Sequence, residues 1–140
     1  MQSATILLVE DNPDDAALTE RALRETPARV EVASDAREAL DYLLDDDADA
    51  PRLVLLDLGL PDADGLEVLR RIRGHDRTSL IPVVILTSSI EPIDVARCYL
   101  HGANSFVRKP NDFDRFVELV RQTVSYWLEV NESPTTVGDD

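Results

Sequence analysis

Cysteine is almost absent from this chain. Cys98 stands alone, which excludes an intrachain disulfide and a metal cluster built from cysteines. Long apolar runs are missing too, and Met1 is not followed by a basic-then-apolar leader. Neither a membrane-spanning helix nor a secretory signal is therefore expected, and the expected compartment is the cytoplasm. Basic charge is scarce: 14 basic residues face 28 acidic ones, a formal net charge of −14. Such a field repels phosphate backbones and anionic lipid, so neither nucleic acid nor a membrane surface is an expected partner. Scarcest of all is lysine, because thirteen of the basic residues are arginine and only Lys109 is not. What remains is ample for folding. With 140 residues, 44 % of them apolar, the chain can close one hydrophobic core and is not a disordered polymer. The acid excess reads as a solvated surface, of a kind suited to high salt where screening weakens self-repulsion. That reading leaves the single lysine unexplained.

No internal repeat is present; what alternates is the type of periodicity. Thr5–Val9 is a short apolar run ending in Glu10-Asp11-Asn12-Pro13, as expected of a strand buried on both faces. Pro13 suits the first turn of a helix capped by Asn12, with Asp14 and Asp15 at its positive end and a stop near Glu25. Val30–Ala33 reads as a shorter strand, and Ser34 as the cap of a helix from Asp35 to about Leu44. Leu53–Leu56 is a second apolar run, ending in Asp57. A loop with Pro61 leads to a helix carrying Leu66, Val68, Leu69 and Ile72 and stopping near Gly74. Val83–Leu86 ends in Thr87-Ser88-Ser89, and a helix over Pro92–Leu100 stops at the C-terminal glycine Gly102. Ser105–Arg108 ends in Lys109-Pro110. A last helix over Phe113–Trp127 places Phe113, Phe116, Val117, Val120, Val124 and Trp127 on one stripe. Residues 1–130 are thus one domain, and 131–140 a polar tail. Five strand–helix units in series predict an α/β fold: a flavodoxin-like, doubly wound parallel sheet of order 2-1-3-4-5 with helices on both faces.

In such a sheet the site lies beyond the carboxyl ends of the strands. Those ends deliver Glu10 and Asp11, Asp57, Thr87 and Lys109. Two carboxylates about 4–5 Å apart repel by roughly 3–4 kcal/mol at an effective dielectric near 20, so a cation is called for. No His or Cys stands at a strand end to favour zinc, whereas magnesium takes one or two carboxylates and leaves positions for phosphate. Lys109 adds a mobile positive charge and Thr87 a short hydroxyl donor around a place where a phosphoryl group could sit on a carboxylate. Asp57, on the central strand, is the best nucleophile. Singly, each residue has a plainer role as a helix cap, turn residue or surface charge. Their coincidence at four strand ends favours a site. His75 and His101 lie near helix ends and read as exposed residues, and Cys98 as a small apolar helix residue.

The sequence resembles the receiver domain of two-component response regulators over about residues 4–128. The resemblance is carried by Ile6-Leu7-Leu8-Val9-Glu10-Asp11-Asn12, Leu55-Leu56-Asp57-Leu58, Leu60-Pro61-Asp62 with Asp64-Gly65, Val84-Ile85-Leu86-Thr87-Ser88, Gly102-Ala103 and Lys109-Pro110. The turn Asn12-Pro13-Asp14-Asp15 and the closing Tyr126-Trp127-Leu128 more narrowly resemble stand-alone receivers, some of them paired with phytochrome-type sensor kinases. The resemblance implies that Asp57 accepts a phosphoryl group from a phosphohistidine on a sensor histidine kinase. It implies that Asp11, Asp57 and the carbonyl of Gly59 bind Mg2+, with Glu10 assisting through a water. Lys109 would contact the phosphoryl group, Thr87 would turn in to hydrogen-bond it, and Phe106 would move inward as an aromatic switch. A cis Lys109–Pro110 bond is also implied. Gly59 and Ser89 leave the hydrolysis-tuning positions small, and Phe106 lacks a tyrosine's hydroxyl.

Other readings are weaker on the residues. A flavin-carrying relative of this fold needs a Ser/Thr/Gly-rich phosphate cradle where Glu10–Asp15 stands. A magnesium-dependent aspartyl phosphatase resembling that family wants a second Asp where Gly59 stands. The complete residue set argues against a passive binding module. Only 13 residues follow Trp127, too few for a DNA-binding output unit. The expected activity is self-catalysed phosphorylation without conventional turnover, acting through protein contacts or as a phosphorelay intermediate. A homodimer through the last helices stays open.

Overall fold

A computed structural model describes residues 4–88 and 91–134. Five strands, β1 (Thr5–Val9), β2 (Arg29–Ala33), β3 (Leu53–Leu56), β4 (Val83–Thr87) and β5 (Ser105–Arg108), alternate with five α-helices. The helices are α1 (Pro13–Ala22), α2 (Ala36–Leu43), α3 (Gly65–Arg73), α4 (Pro92–Leu100) and α5 (Phe113–Ser125). All strand pairs are parallel, in the order β2-β1-β3-β4-β5. The expected flavodoxin-like topology is what forms.

Strand composition explains this order. Every residue of β3 and β4 is buried, as continuous apolar runs require when both faces are covered. The more polar β2 and β5 occupy the edges. Side chains alternate between two cores. Leu7, Val9, Val54, Leu56, Val83 and Ile85 face one, where α2 and α3 contribute Ala39, Leu43, Val68, Leu69 and Ile72. Ile6, Leu8, Leu53, Leu55, Val84 and Leu86 face the other, closed by Ala16, Ala22, Phe116, Val120 and Val124 of α1 and α5. Cys98 is fully buried in the first core, and burial pushes its thiol up to about 11, which keeps it protonated and inert.

Several local details follow the expected chemistry, and others depart from it. The Asn12 carboxamide accepts from the N–H groups of Asp14 and Asp15, capping α1 as expected. Helix α4 ends in a Schellman turn, with Ala103 N–H on Cys98 and Gly102 N–H on Tyr99, which requires φ of +101° at Gly102. Asp35, not Ser34, caps α2, because its carboxylate reaches the N–H of Glu38 while the Ser34 hydroxyl bonds the Glu38 side chain instead. Helix α1 stops at Ala22, three residues before the expected end, in a run of turns. Phe113, the first residue of α5, stands a turn before the first buried position, Phe116, and is exposed instead of joining the stripe. After Ser125 the last helix widens into a π turn over Tyr126–Val130, with Trp127 half-buried on the second core and Tyr126 exposed. Ser89 and residues 135–140 of the expected tail lie outside the described residues; Ser133 is buried. His75 and His101 are exposed, as expected.

Candidate functional site

Register brings the strand ends together. Val9 pairs with Leu56 and Leu56 with Ile85, while Thr87 pairs with Arg108. The next residues are carried past the sheet on backbone hydrogen bonds: Glu10 N–H to Ala33, Asp57 N–H to Val9 and Lys109 N–H to Thr87. An open cleft of about 720 Å³ results, lined by Glu10, Asp11, Asp15, Asp57, Gly59, Thr87 and Lys109 among others.

Lys109 is the centre of this cleft. Its Nζ lies 2.5 Å from Glu10, 2.8 Å from Asp57 and 2.9 Å from Asp15, with only 7 % of its side chain exposed. An ammonium has three N–H donors, and each finds a carboxylate. Burial works against the charge, but the bonds to Asp57, Glu10 and Asp15 overcome it and raise the pKa, so the lysine stays protonated. The Thr87 hydroxyl is already turned inward, 3.1 Å from Asp57 Oδ1, and the Gly59 N–H donates to the same oxygen at 3.0 Å.

The two buried carboxylates separate in acidity. Glu10 is 3 % exposed, and burial pushes its pKa up to about 7 against the pull of Lys109, with the Asp57 carboxylate adding to the rise. At Asp57 burial also acts upward, but hydrogen bonds from Lys109, Glu10 and the Gly59 N–H outweigh it and hold the pKa below its ordinary value. Asp57 is thus the ionised partner, the state a nucleophile needs, and Glu10 is the one that takes up a proton first.

Carboxylate oxygens of Glu10, Asp11 and Asp57 all lie within 4.8 Å of one another, with Asp11 exposed at the rim. A set of hard oxygen donors with no imidazole or thiolate suits a magnesium-like ion, so the residues fit the expected metal. A divalent ion held at this trio would compete with protons for Glu10, which would link pH and divalent affinity. Glu10 is raised from its ordinary 4.5 to about 7, so its contribution to stability is full below about 4.5 and is lost as pH rises through 7. Asp57 is lowered, so its contribution is present above 3.8 and disappears only in stronger acid. Without metal, the protein is expected to lose stability between about pH 5 and about pH 8, whereas millimolar Mg2+ restores it, most at the higher pH. Thermal melts with Mg2+ and with EDTA across this range check it; a Mg2+ gain that shrinks with rising pH contradicts it.

Three contributors were not legible as such in the sequence. Asp15 reads as a helix-dipole residue, yet its carboxylate reaches Lys109 across the cleft. Asp62 accepts from the N–H groups of Ala36 and Arg37 at 2.8 and 3.1 Å, tying the loop after β3 to the start of α2. Gly65 packs α3 against the Asp57 backbone, since a Cβ there would lie 2.7 Å from both the Asp57 carbonyl oxygen and the Leu58 Cα. Gly65→Ala is therefore expected to cost about 1–3 kcal/mol in urea denaturation by overpacking against backbone that cannot yield. Phe106 is not in the cleft; half-buried, it packs on the first core, and its N–H donates to the Tyr99 hydroxyl at 3.2 Å. The Lys109–Pro110 bond is trans, contrary to expectation, as no cis bond occurs among the described residues. A prolyl amide permits either isomer within about 0.5–1 kcal/mol, and Lys109 reaches all three carboxylates from the trans form.

Comparison with known proteins agrees with this geometry. The family model for the response regulator receiver domain matches residues 6–121. The probable methanogenesis regulatory protein FilR2 of Methanothrix harundinacea is 42 % identical over 134 residues, covering 92 % of this chain and 86 % of that protein. Response regulator Rcp1 of Synechocystis sp. is 33 % identical over 135 residues, 92 % of each chain. The crystal structure of its Mn(2+)-bound form aligns with a TM-score of 0.88 at 32 % identity, over 94 % of this chain and 99 % of that one. The phosphorylated cyanobacterial phytochrome response regulator RcpA aligns at 0.90 and 34 % identity, over 95 % and 99 %. Fold, strand-end residues and sequence relationship converge, and the chain belongs to the response regulator receiver domain family.

Proposed function

We propose that this protein is a response regulator that accepts a phosphoryl group on Asp57 from a phosphohistidine of a sensor histidine kinase and changes its protein-binding surface in consequence. The observation that carries this is the ionised Asp57 carboxylate held between Lys109, the Thr87 hydroxyl and the Gly59 N–H, and forming with Glu10 and Asp11 a trio of carboxylates suited to magnesium. An Asp57 oxygen attacks phosphorus as the bond from phosphorus to the imidazole nitrogen breaks. The electron pair of that bond stays on the imidazole, and Asp57 becomes an acyl phosphate. Lys109 and Thr87 are the donors within reach of the incoming oxygens, and they offset charge there. A magnesium ion on Asp11, Asp57 and the Gly59 carbonyl, with Glu10 assisting, would supply further neutralisation.

The phytochrome response regulator RcpA, 34 % identical to this chain, supports a phytochrome-type kinase as the phosphoryl donor. Among the described residues no helix is long and apolar enough to cross a membrane. Acetyl phosphate with Mg2+ should label the wild-type protein once, and beryllofluoride with Mg2+ should raise its melting temperature. Absence of both effects would remove the proposal.

A further inference from the structure

We propose that Asp15 is a positioning residue for Lys109 during phosphoryl transfer, an inference that rests on the functional reading above. Of the three carboxylates on the ammonium, Glu10 and Asp57 also belong to the trio suited to a divalent cation. Asp15 does not, and its Oδ2 lies 2.9 Å from Nζ. A cation drawing on Glu10 and Asp57 competes with Lys109 for their oxygens; it has no such claim on Asp15. Asp15 is therefore the partner that Lys109 keeps when metal and phosphoryl group arrive. The need for such a partner is physical. A lysine stem is flexible and its ammonium is a point charge that makes bonds in any direction, so it requires an external restraint to stay aimed at one oxygen. One N–H held on the α1 side leaves two free to turn toward the phosphoryl oxygens.

Local structure does not otherwise account for this carboxylate. The cap of α1 is the Asn12 side chain, which takes the N–H groups of both Asp14 and Asp15. Asp14, also in that first turn, already places an acidic group at the helix's positive end and is exposed. The Asp15 carbonyl accepts from the Thr19 hydroxyl at 2.8 Å, which adds to the definition of this turn. The side chain is 32 % exposed, so its removal leaves no cavity in either core.

The single lysine makes the test direct, because 15N-lysine labelling yields one side-chain ammonium signal. In wild type that signal is expected to be protected from solvent exchange with and without Mg2+. In Asp15→Ala it stays protected without metal, through Glu10 and Asp57, and loses protection once Mg2+ is bound. The maximal rate of acetyl phosphate labelling at saturating Mg2+ falls about tenfold in Asp15→Ala and less in Asp15→Asn, which retains an acceptor oxygen. The Mg2+ concentration for half-saturation moves by less than about threefold. Wild-type protection and rate in Asp15→Ala overturn the proposal, as does a slowed rate with an unchanged ammonium signal. If the ammonium behaves as described but wild type accepts no phosphoryl group, the functional reading fails and the positioning does not.

Discussion

Asp57→Asn is expected to abolish labelling by acetyl phosphate, lowering the rate by about 10³-fold or more while the protein stays folded. An amide lacks the charged oxygen that the proposed transfer requires, and the neighbouring carboxylates are poor substitutes. Asp11 is out at the rim, Glu10 carries a raised pKa of about 7, and Asp15 is bonded to Lys109. Folding should survive because Lys109 keeps Glu10 and Asp15 as partners. The substitution also removes a negative charge that raises the pKa of Glu10, so stability should fall less steeply between about pH 5 and about pH 8 than in wild type. Intact-protein mass after acetyl phosphate treatment and urea denaturation at the two pH values measure both effects. Undiminished labelling of Asp57→Asn would place the nucleophile elsewhere.

Lys109→Met carries the largest expected cost in stability. The side chain is of similar length, but the buried cation that neutralises three carboxylates is gone. Removing one partner from a buried ion cluster leaves uncompensated charge, worth about 3 kcal/mol or more. The sign with pH follows from Glu10. Lys109 lowers that pKa, so without it Glu10 is protonated over a wider range and the loss is smallest in mild acid. The penalty should grow toward about pH 8 and be largely offset by millimolar Mg2+, which supplies positive charge in the same place. Lys109→Arg keeps the charge, and with it most of the stability and Mg2+ binding. It should nevertheless lose the phosphorylation-dependent response, because a planar fork cannot aim three donors at three separately placed carboxylates. Urea titrations with and without metal test the first variant; a small, pH-independent loss would show that the ion cluster contributes little.

Much of this molecule is legible in order along the chain. The apolar runs of β3 and β4 foretell central strands, since only a strand covered on both faces can bury every side chain. Strand ends then identify Glu10, Asp11, Asp57, Thr87 and Lys109, because parallel strands all point the same way and deliver their next residues to one rim. Helix ends are less legible. Ser34 and Asp35 are both good caps, and which one closes α2 depends on which reaches Glu38 N–H. Phe113 fits the α5 stripe by spacing but is exposed in the fold.

By itself the sequence determined the sheet order, the acidic rim and the importance of one lysine among many arginines. These rest on local periodicity and residue chemistry, which act over a few positions. The tertiary structure alone decided that Asp15, 94 residues from Lys109, completes its three bonds. It decided too that Glu10 holds a proton more readily than Asp57, and that Gly65 must lack a side chain. Each depends on distances between distant segments or on burial in the assembled cleft. Desolvation and close contact do not exist until the chain has folded.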